Sequence, residues 1–327
     1  MKYYSNILDG IGNTPLIKLS RITEGADIDL FAKLEFLNPV GSVKDRIAKY
    51  MIEKAEKEGR IKPGDTIIDS SSGNTAMGLA VVCSVKGYKL KIIIRRSTSI
   101  EKIKFLRALN VDLVMVDPTL PPESPDSYNN LAPRIAAGTP GAYYFDQHNN
   151  LENNETHYKT TGPEIWEQME GKIDYFIAGM GTGGTICGAG KYLKEKDPNI
   201  KVIAIDPLGS IFYDYFFTKK IIKPAHYIIE GLGDEFLIGC ADFSVLDDIY
   251  QVTDKEAFLM TRKLASIEGI LAGGSSGAAV WGALKLAKNL NRPARVVTII
   301  PDSANRYLST IYNDDWLKEK GFLATGL

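Results

Sequence analysis

The segment TIIDSSSGNTAMGLAVVCSVKGYKLKIII at residues 66–94 contains a complete strand–helix–strand pattern. The apolar run Thr66–Ile68 is typical of a buried strand, and Leu90–Ile94 repeats that pattern. Between them, Thr75–Lys86 has the composition of a helix, and Gly87 is suited to ending it. Two strands joined by a helix form a βαβ unit, which predicts a parallel sheet covered by helices.

The same alternation continues on both sides of this segment and extends over most of the chain. The further predicted strands are Leu30–Ala32, Val111–Val116, Tyr175–Ala178, Val202–Ile205 and Val296–Ile300. The further predicted helices are Ile47–Glu58, Ile100–Leu109, Thr160–Gln168, Thr185–Lys196, Lys255–Glu268 and Gly277–Leu290. The chain is therefore predicted to have an α/β fold with mostly parallel sheets. Ligands of such folds bind at the loops that follow the carboxyl ends of the strands.

Length and composition exclude several classes of protein. A chain of 327 residues is long enough for about two domains. The chain has 39 Lys and Arg against 40 Asp and Glu, and this balance argues against binding to nucleic acid or to an anionic membrane surface. Its three cysteines and three histidines lack the spacing of a metal site or a disulfide framework, so we expect no metal and a cytoplasmic protein. No apolar run is long enough to span a bilayer.

The first candidate functional loop has the sequence NPVGSVKDR at residues 38–46, and a helical pattern follows Lys44. A lysine at the start of a helix lies beside the positive end of the helix dipole, which disfavours its charged form. Such a lysine can shuttle protons or form a Schiff base. The alternative is an ordinary surface lysine in a turn.

The second candidate loop, Ser70–Thr75, connects a predicted strand to a predicted helix. Its backbone N–H groups and hydroxyls are suited to binding an anion, and a carboxylate in particular. The alternative is simple helix capping, for which Ser, Asn and Thr are also preferred. Three consecutive serines followed by Gly73 and Asn74 exceed what a cap requires, so ligand binding is the favoured interpretation.

Two glycine-rich loops follow in the second half of the chain. The sequence GMGTGGT at residues 179–185 lies between a predicted strand and a predicted helix. Its glycines allow close approach of the backbone to a phosphate, and the absence of a lysine favours a cofactor monophosphate over a nucleoside triphosphate. The sequence AGGSSG at residues 272–277 also precedes a helix, but considered alone it is equally well explained as a tight turn with a cap.

One irregular segment is rich in proline. Residues 118–128 contain Pro118, Pro121, Pro122 and Pro125. Proline lacks a backbone donor, so this segment cannot form a regular helix or a central strand. We expect a loop on the surface or near the mouth of the site.

Taken together and in this order, the four loops resemble those of the fold type II enzymes that depend on pyridoxal phosphate (PLP), in the tryptophan synthase β family. Within that family the chain is similar to cystathionine β-synthases and cysteine synthases. The similarity runs from GNTPL at residues 12–16 through TTGPEIW at residues 160–166 to PDS at residues 301–303. It therefore covers nearly the whole chain.

This resemblance implies a domain organisation. The fold would consist of two three-layer αβα domains with mostly parallel sheets and with PLP in the cleft between them. A smaller substrate-binding domain at residues 43–140 would be inserted into a larger PLP-binding domain formed by residues 1–42 and 141–327. A homodimer that acts on small amino acids and thiols is also expected.

The resemblance also implies roles for individual residues. Lys44 would bind PLP covalently and later move the Cα proton of the substrate. Asn74 would hydrogen-bond the phenolic oxygen of PLP, and Ser275 would face its pyridine nitrogen. The phosphate would be held by Gly181, Thr182, Gly183, Gly184 and Thr185. The substrate carboxylate would be held by Ser71, Ser72, Asn74, Thr75 and Gln147.

The implied reaction is β-replacement on L-serine or an activated serine through an aminoacrylate intermediate, with PLP as the electron sink. Cystathionine synthesis from serine and homocysteine is the first expectation. Cysteine synthesis from O-acetylserine or O-phosphoserine and sulfide is the second. Lanthionine or hydrogen sulfide formation from cysteine, and dehydration of serine or threonine, would use the same residues. The alternative from a different class is a non-catalytic relative that only binds a partner.

Five residues at three places depart from the pattern of that family. Ala76 stands where glycine is usual, and Asp234 and Glu235 replace a Tyr-Asp pair. Arg95 and Arg96 stand where a Pro-Glu pair is common. An arginine there could bind an anionic substituent, such as the phosphate of phosphoserine or a second carboxylate. The alternative is a pair of solvated arginines at the end of a strand.

Overall fold

The computed structural model describes residues 1, 3–117, 119–121 and 123–324. Two compact units make up the chain, a smaller one of residues 1–12 and 38–152 and a larger one of residues 13–37 and 153–327. Within the described residues, no helix has both the length and the apolar character needed to cross a membrane.

The elements follow one another in the predicted alternation. The strands are β1 (Leu16–Lys18), β2 (Ile28–Leu34), β3 (Thr66–Ser70), β4 (Lys89–Arg95), β5 (Asp112–Val116), β6 (Ala142–Tyr144), β7 (Tyr175–Gly179), β8 (Lys201–Pro207), β9 (Asp248–Val252) and β10 (Ala294–Ile300). The helices are α1 (Lys44–Lys57), α2 (Asn74–Lys86), α3 (Ile100–Ala108), α4 (Leu131–Ala137), α5 (Glu152–Lys159), α6 (Thr161–Gln168), α7 (Gly184–Lys196), α8 (Phe212–Thr218), α9 (Asp254–Glu268), α10 (Gly274–Ala287) and α11 (Asp314–Glu319). Every strand and helix predicted from the sequence is present.

The smaller unit is built on a parallel sheet with the strand order β5-β4-β3-β6. Successive side chains of β4 point to opposite faces, because a strand has a period of two residues. Ile92 and Ile94 pack with the apolar residues of α1, α2 and α3. Ile93 packs on the other face with residues of α4. The unit therefore has three layers, with helices on both faces of the sheet.

The larger unit repeats this architecture on a wider sheet with the order β1-β2-β10-β7-β8-β9. Strand β1 is antiparallel to β2, and the other pairs are parallel. Val296 and Ile300 of β10 pack with α9 and α10. Val297 and Ile299 pack on the opposite face with α6 and α7. The predicted α/β fold with two three-layer αβα units is thus confirmed.

The bounds of the two units differ from the predicted domain bounds at both ends of the smaller unit. Strand β6 pairs with β3 in the smaller sheet, and the chain as far as Glu152 belongs to the smaller unit. Leu8 and Phe145 are both buried in the core of that unit. The smaller unit therefore includes residues 1–12, 38–42 and 141–152, whereas the division of binding roles between the units stays a prediction.

The proline-rich segment forms turns in its described part. Residues 119–121 and 123–130 contain neither helix nor strand, as predicted, and Pro118 and Pro122 lie outside the described residues. Backbone N–H groups of Ser124 and Ser127 bond to carbonyls three residues earlier, which is the pattern of consecutive turns. The segment ends where α4 begins at Leu131.

Candidate functional site

Lys44 is the first residue of α1, where the sequence predicts the start of a helix. The preceding turn is fixed by Asp45, which is fully buried. Its carboxylate accepts hydrogen bonds from the N–H of Val40 at 2.7 Å and from the hydroxyl of Ser42 at 3.2 Å. The Lys44 N–H in turn donates to Ser42 Oγ at 3.3 Å. Asp45 thus fixes the backbone from which the lysine side chain extends.

Helix α2 approaches this turn closely at Gly78. A Cβ atom added to Gly78 would lie 3.2 Å from the carbonyl oxygen of Lys44 and 3.3 Å from Cβ of Ala48. Both distances are shorter than an ordinary van der Waals contact. The small residue therefore allows the two helices to pack together directly behind Lys44.

The loop from β3 to α2 contains both capping and further polar contacts. Ser71 Oγ accepts hydrogen bonds from the N–H groups of Gly73 and Ala76, so one serine does serve as a cap. Gly73 precedes α2 without a side-chain cap of its own. The Thr75 hydroxyl donates to Gln147 Oε1 at 2.5 Å, and Gln147 Nε2 donates to the Ser70 carbonyl at 3.3 Å. The structure therefore places Gln147 against the loop with which the sequence associates it.

Tyr128 is a member of this cluster that the sequence did not identify. Its hydroxyl accepts the N–H of Ser72 at 3.0 Å, and its carbonyl accepts the hydroxyl of Ser70 at 2.7 Å. Burial raises the pKa of the Tyr128 hydroxyl, so the group remains protonated at neutral pH. The only sequence signal was its place at the end of the proline-rich segment, which we expected near the mouth of the site.

Asp69 lies directly before this loop and is buried. Burial raises the pKa of its carboxyl well above the usual range, and the negative charge of Asp146 raises it further. Backbone N–H groups of Ser70, Asp146 and Gln147 oppose this increase only in part. This environment favours the protonated form of the carboxyl.

The glycine-rich loop of the larger unit connects β7 to α7. Gly183 adopts a φ of +86° directly before the helix and provides no side-chain cap. A Cβ atom there would lie 2.5 Å from the carbonyl oxygen of Cys240 and 2.8 Å from Cα of Ala241. A Cβ atom on Gly181 would overlap the carbonyl oxygen of Gly231. Backbone atoms of neighbouring loops thus pack closely against one side of this loop. The N-terminus of α7 provides N–H groups and a positive dipole end for an anion.

Helix α5 supports the threonines of this loop, a contact that the sequence did not reveal. Asn153 Nδ2 donates to Thr182 Oγ1 at 3.0 Å. His157 is fully buried, with Nδ1 2.8 Å from Thr161 Oγ1 and Nε2 3.2 Å from Thr185 Oγ1. A neutral imidazole has one donor and one acceptor nitrogen, so it can hold both hydroxyls at once.

A second loop, around Gly231–Gly233, packs against the glycine-rich loop. Its Gly233 N–H donates to the carbonyl of Met180 at 2.8 Å. Ser210 Oγ accepts the N–H of Asp234 at 3.2 Å, which ties the loop to the end of β8. Asp206 lies on that strand, and burial raises the pKa of its carboxyl to about 7.

Ser275 lies in the first turn of α10 and is 5% exposed. Gly273 precedes the helix, and its N–H donates to the carbonyl of Asp302 at 3.2 Å. The hydroxyl of Ser276 is buried and has no hydrogen-bond partner among the described residues. The fourth loop is therefore a tight turn, as one interpretation held, and it also presents a buried hydroxyl at a helix start.

Comparison with known proteins identifies the family. Residues 7–302 match the family described as pyridoxal-phosphate dependent enzyme. The chain is 44% identical over 324 residues to a cystathionine β-synthase of Apis mellifera, an alignment that covers 98% of this chain and 64% of that protein. The corresponding protein of Oryctolagus cuniculus is 42% identical, with 98% and 59% covered. A cysteine synthase of Staphylococcus aureus is 43% identical over 318 residues, with 96% and 99% covered.

The chain therefore spans about three fifths of the length of the cystathionine β-synthases that it matches. Its residues also have the chemistry that PLP requires. Lys44 has an amine that can form a Schiff base with an aldehyde, and the enclosed glycine loop at the start of α7 suits a phosphate. Together with the match over residues 7–302, these features show that the chain belongs to the family of pyridoxal-phosphate dependent enzymes.

Proposed function

We propose that this chain catalyses PLP-dependent β-replacement, in which a thiol displaces the β-substituent of L-serine or of an activated serine. The first candidate reaction joins L-serine and homocysteine to form cystathionine and water. The observation that carries the proposal is the pairing, within one unit, of Lys44 in a fixed turn with the polar loop Ser70–Thr75. An amine for proton transfer and a carboxylate site are the two elements that chemistry at an amino-acid Cα requires.

The cofactor would be held by the residues that the family resemblance indicates. Gly181, Thr182, Gly183, Gly184 and Thr185 would bind its phosphate, because the start of α7 favours an anion. Asn74 would donate a hydrogen bond to its phenolic oxygen. Ser275 would meet its pyridine nitrogen with a neutral hydroxyl, which does not enforce a charged pyridinium. When bound, PLP supplies an electron sink for the bond broken at Cα.

The substrate carboxylate would be bound by Ser71, Ser72, Asn74, Thr75 and Gln147. The hydrogen bond from Thr75 to Gln147 supports this assignment because it fixes both side chains before a ligand arrives. The Nζ atom of Lys44 would remove the proton from Cα and return it after the thiol has been added. The Cβ–O bond breaks, a Cβ–S bond forms, and the thiol proton leaves with the departing oxygen.

Cysteine synthesis from O-acetylserine or O-phosphoserine and sulfide is the second candidate. The observation that favours it is the identity: the Staphylococcus aureus cysteine synthase is 43% identical over 318 residues, close to the 44% of the Apis mellifera cystathionine β-synthase. The same residues would perform either reaction, since only the leaving group and the nucleophile differ.

We further propose a cytoplasmic homodimer. The three cysteines Cys83, Cys187 and Cys240 are free thiols, which supports a reducing compartment. The dimer rests on the family resemblance alone, and sedimentation equilibrium of the PLP-loaded protein tests it.

A product assay by mass spectrometry tests the proposed reaction. The PLP-loaded enzyme is incubated with L-serine, O-acetylserine, O-phosphoserine or cysteine as donor and with homocysteine, sulfide or cysteine as acceptor. Cystathionine from plain serine would support the first candidate, and product only from activated donors would support the second. Absence of product from every pair, with PLP bound, would refute both.

A further inference from the structure

Two adjacent arginines at the end of β4 lie in different electrostatic settings. Arg96 Nη1 lies 3.8 Å from a carboxylate oxygen of Asp117. Arg95 instead places its guanidinium carbon 4.4 Å from the centroid of the Tyr128 ring. In the part of the chain that the structure describes, no acidic side chain pairs with Arg95. Arg95 therefore presents a positive charge that no neighbouring carboxylate compensates.

Contacts of the main chain connect Arg95 to the proposed carboxylate loop. The Arg95 N–H donates to Ser72 Oγ at 3.1 Å. The Ser72 N–H donates to the hydroxyl of Tyr128 at 3.0 Å, and the face of that ring supports the guanidinium. The Ser70 hydroxyl donates to the backbone carbonyl of Tyr128 at 2.7 Å, which fixes the position of the tyrosine. The same tyrosine thus positions both the serine of the loop and the charge of Arg95.

Stacking determines which part of Arg95 is available to a ligand. A guanidinium that lies on an aromatic face directs its N–H groups outward in the plane of the fork. No described residue accepts a hydrogen bond from this fork. Such a fork matches two oxygens of a phosphate or a carboxylate. Arg95 therefore lies next to the proposed carboxylate loop and has a fork that suits an oxyanion.

We propose that Arg95 forms a second anion subsite, specific for a phosphate ester on the β-carbon of the donor amino acid. The inference rests on the proposed function, because it takes the loop Ser70–Thr75 as the site of the α-carboxylate. In the reaction the Cβ–O bond breaks and phosphate leaves with the bonding electron pair as inorganic phosphate. The thiol loses its proton, its sulfur forms the new bond to Cβ, and no oxidant or reductant is needed. Among activated serines, the preferred donor is accordingly O-phospho-L-serine.

The test compares donors in the PLP-loaded enzyme and in three variants at two neighbouring positions. The values of kcat and KM are measured with O-phospho-L-serine and with O-acetyl-L-serine, each with homocysteine and with sulfide. Arg95→Gln should reduce the preference for the phosphate donor, expressed as a ratio of kcat/KM values, by about tenfold or more. The loss should appear mainly in KM. Arg95→Lys keeps the charge without the fork, so it should restore part of the preference.

Arg96→Gln is the matched control, since it removes the same side chain at the adjacent position and should leave the preference unchanged. An equal loss with both donors would overturn the subsite, because Arg95 would then only support Ser72 through Tyr128. A loss of kcat/KM that occurs with only one of the two acceptors would show that Arg95 binds the nucleophile, and this would overturn the donor assignment. If the wild-type enzyme forms no product with any pair, the proposed function itself fails, and this outcome is distinct from a changed preference.

Discussion

Replacing Gly183 by alanine tests whether the loop before α7 requires a glycine for its shape. Two separate costs arise at this position. The residue has a φ of +86°, and its added Cβ would lie 2.5 Å from the carbonyl oxygen of Cys240 and 2.8 Å from Cα of Ala241. Both neighbours are backbone atoms, so no side chain can rotate away to make room.

The two costs can be estimated separately. A left-handed backbone conformation costs an L-residue about 1–2 kcal/mol. Overpacking against fixed atoms adds about 1–3 kcal/mol. Gly183→Ala should therefore lower the free energy of unfolding by about 2–5 kcal/mol. Because relief of the overlap requires the loop to move, the affinity for PLP should also fall by about tenfold or more, the range for one lost charge-assisted hydrogen bond.

Gly269→Ala is the matched control for backbone strain. Gly269 ends α9 with a φ of +72°, and an added Cβ there meets nothing within 4 Å. This variant should lose only about 1–2 kcal/mol and should keep the wild-type affinity for PLP. Urea unfolding of the PLP-free proteins gives the stabilities, and fluorescence titration with PLP gives the affinities. Equal stability losses in the two variants, or an unchanged PLP affinity in Gly183→Ala, would refute the reasoning.

Three further predictions concern a catalytic, a structural and a titrating group. Lys44→Ala should abolish turnover and the covalent lysine–PLP link. A PLP-modified lysine found by mass spectrometry in the borohydride-reduced variant would contradict this role. Glu164→Gln should lower the free energy of unfolding by about 1.5–3 kcal/mol, because it removes the carboxylate 2.7 Å from the buried ammonium of Lys33 but keeps the bond from that ammonium to the Thr14 carbonyl, and a loss below about 0.5 kcal/mol in urea would show that the pair is dispensable. Burial raises the pKa of Asp206 from 3.8 to about 7, so the folded state retains a proton that the unfolded state releases, and stability should fall as the pH rises from about 4 to 7. Asp206→Asn should flatten that part of the profile in urea unfolding at several pH values, and an unchanged slope would exclude Asp206 as its source.

The fold could be predicted largely because its strands are short apolar runs of ordinary length. Strands β1 and β6 were not predicted, because each has only three residues, which is too short for a periodic signal. Strand β2 continues two residues beyond the predicted Leu30–Ala32, since the charge of Lys33 is buried with Glu164 and bonded to the Thr14 carbonyl at 2.7 Å. No local sequence pattern indicates that a lysine is buried beside a carboxylate more than a hundred residues away.

The candidate site likewise contains residues that local sequence patterns predict and residues that they do not. The loops Ser70–Thr75 and 179–185 could be found because glycine and serine at a strand-to-helix junction have a local meaning. Tyr128 and His157 could not, since each acts through a contact with a residue far along the chain. A tyrosine in a turn and a histidine in a helix are unremarkable until the fold brings Ser72 and Thr185 beside them.

The strand order of the larger unit has a consequence for synthesis on the ribosome. Strand β2 pairs with β1 and β10, and Leu30 lies opposite Val296. At a synthesis rate of about 5–20 residues per second, β10 is made on the order of tens of seconds after β2. The smaller unit, complete at Glu152, can fold during that wait. The nascent chain therefore carries an unpaired apolar strand edge at β2 until β10 is made, and this edge is where a chaperone is most needed.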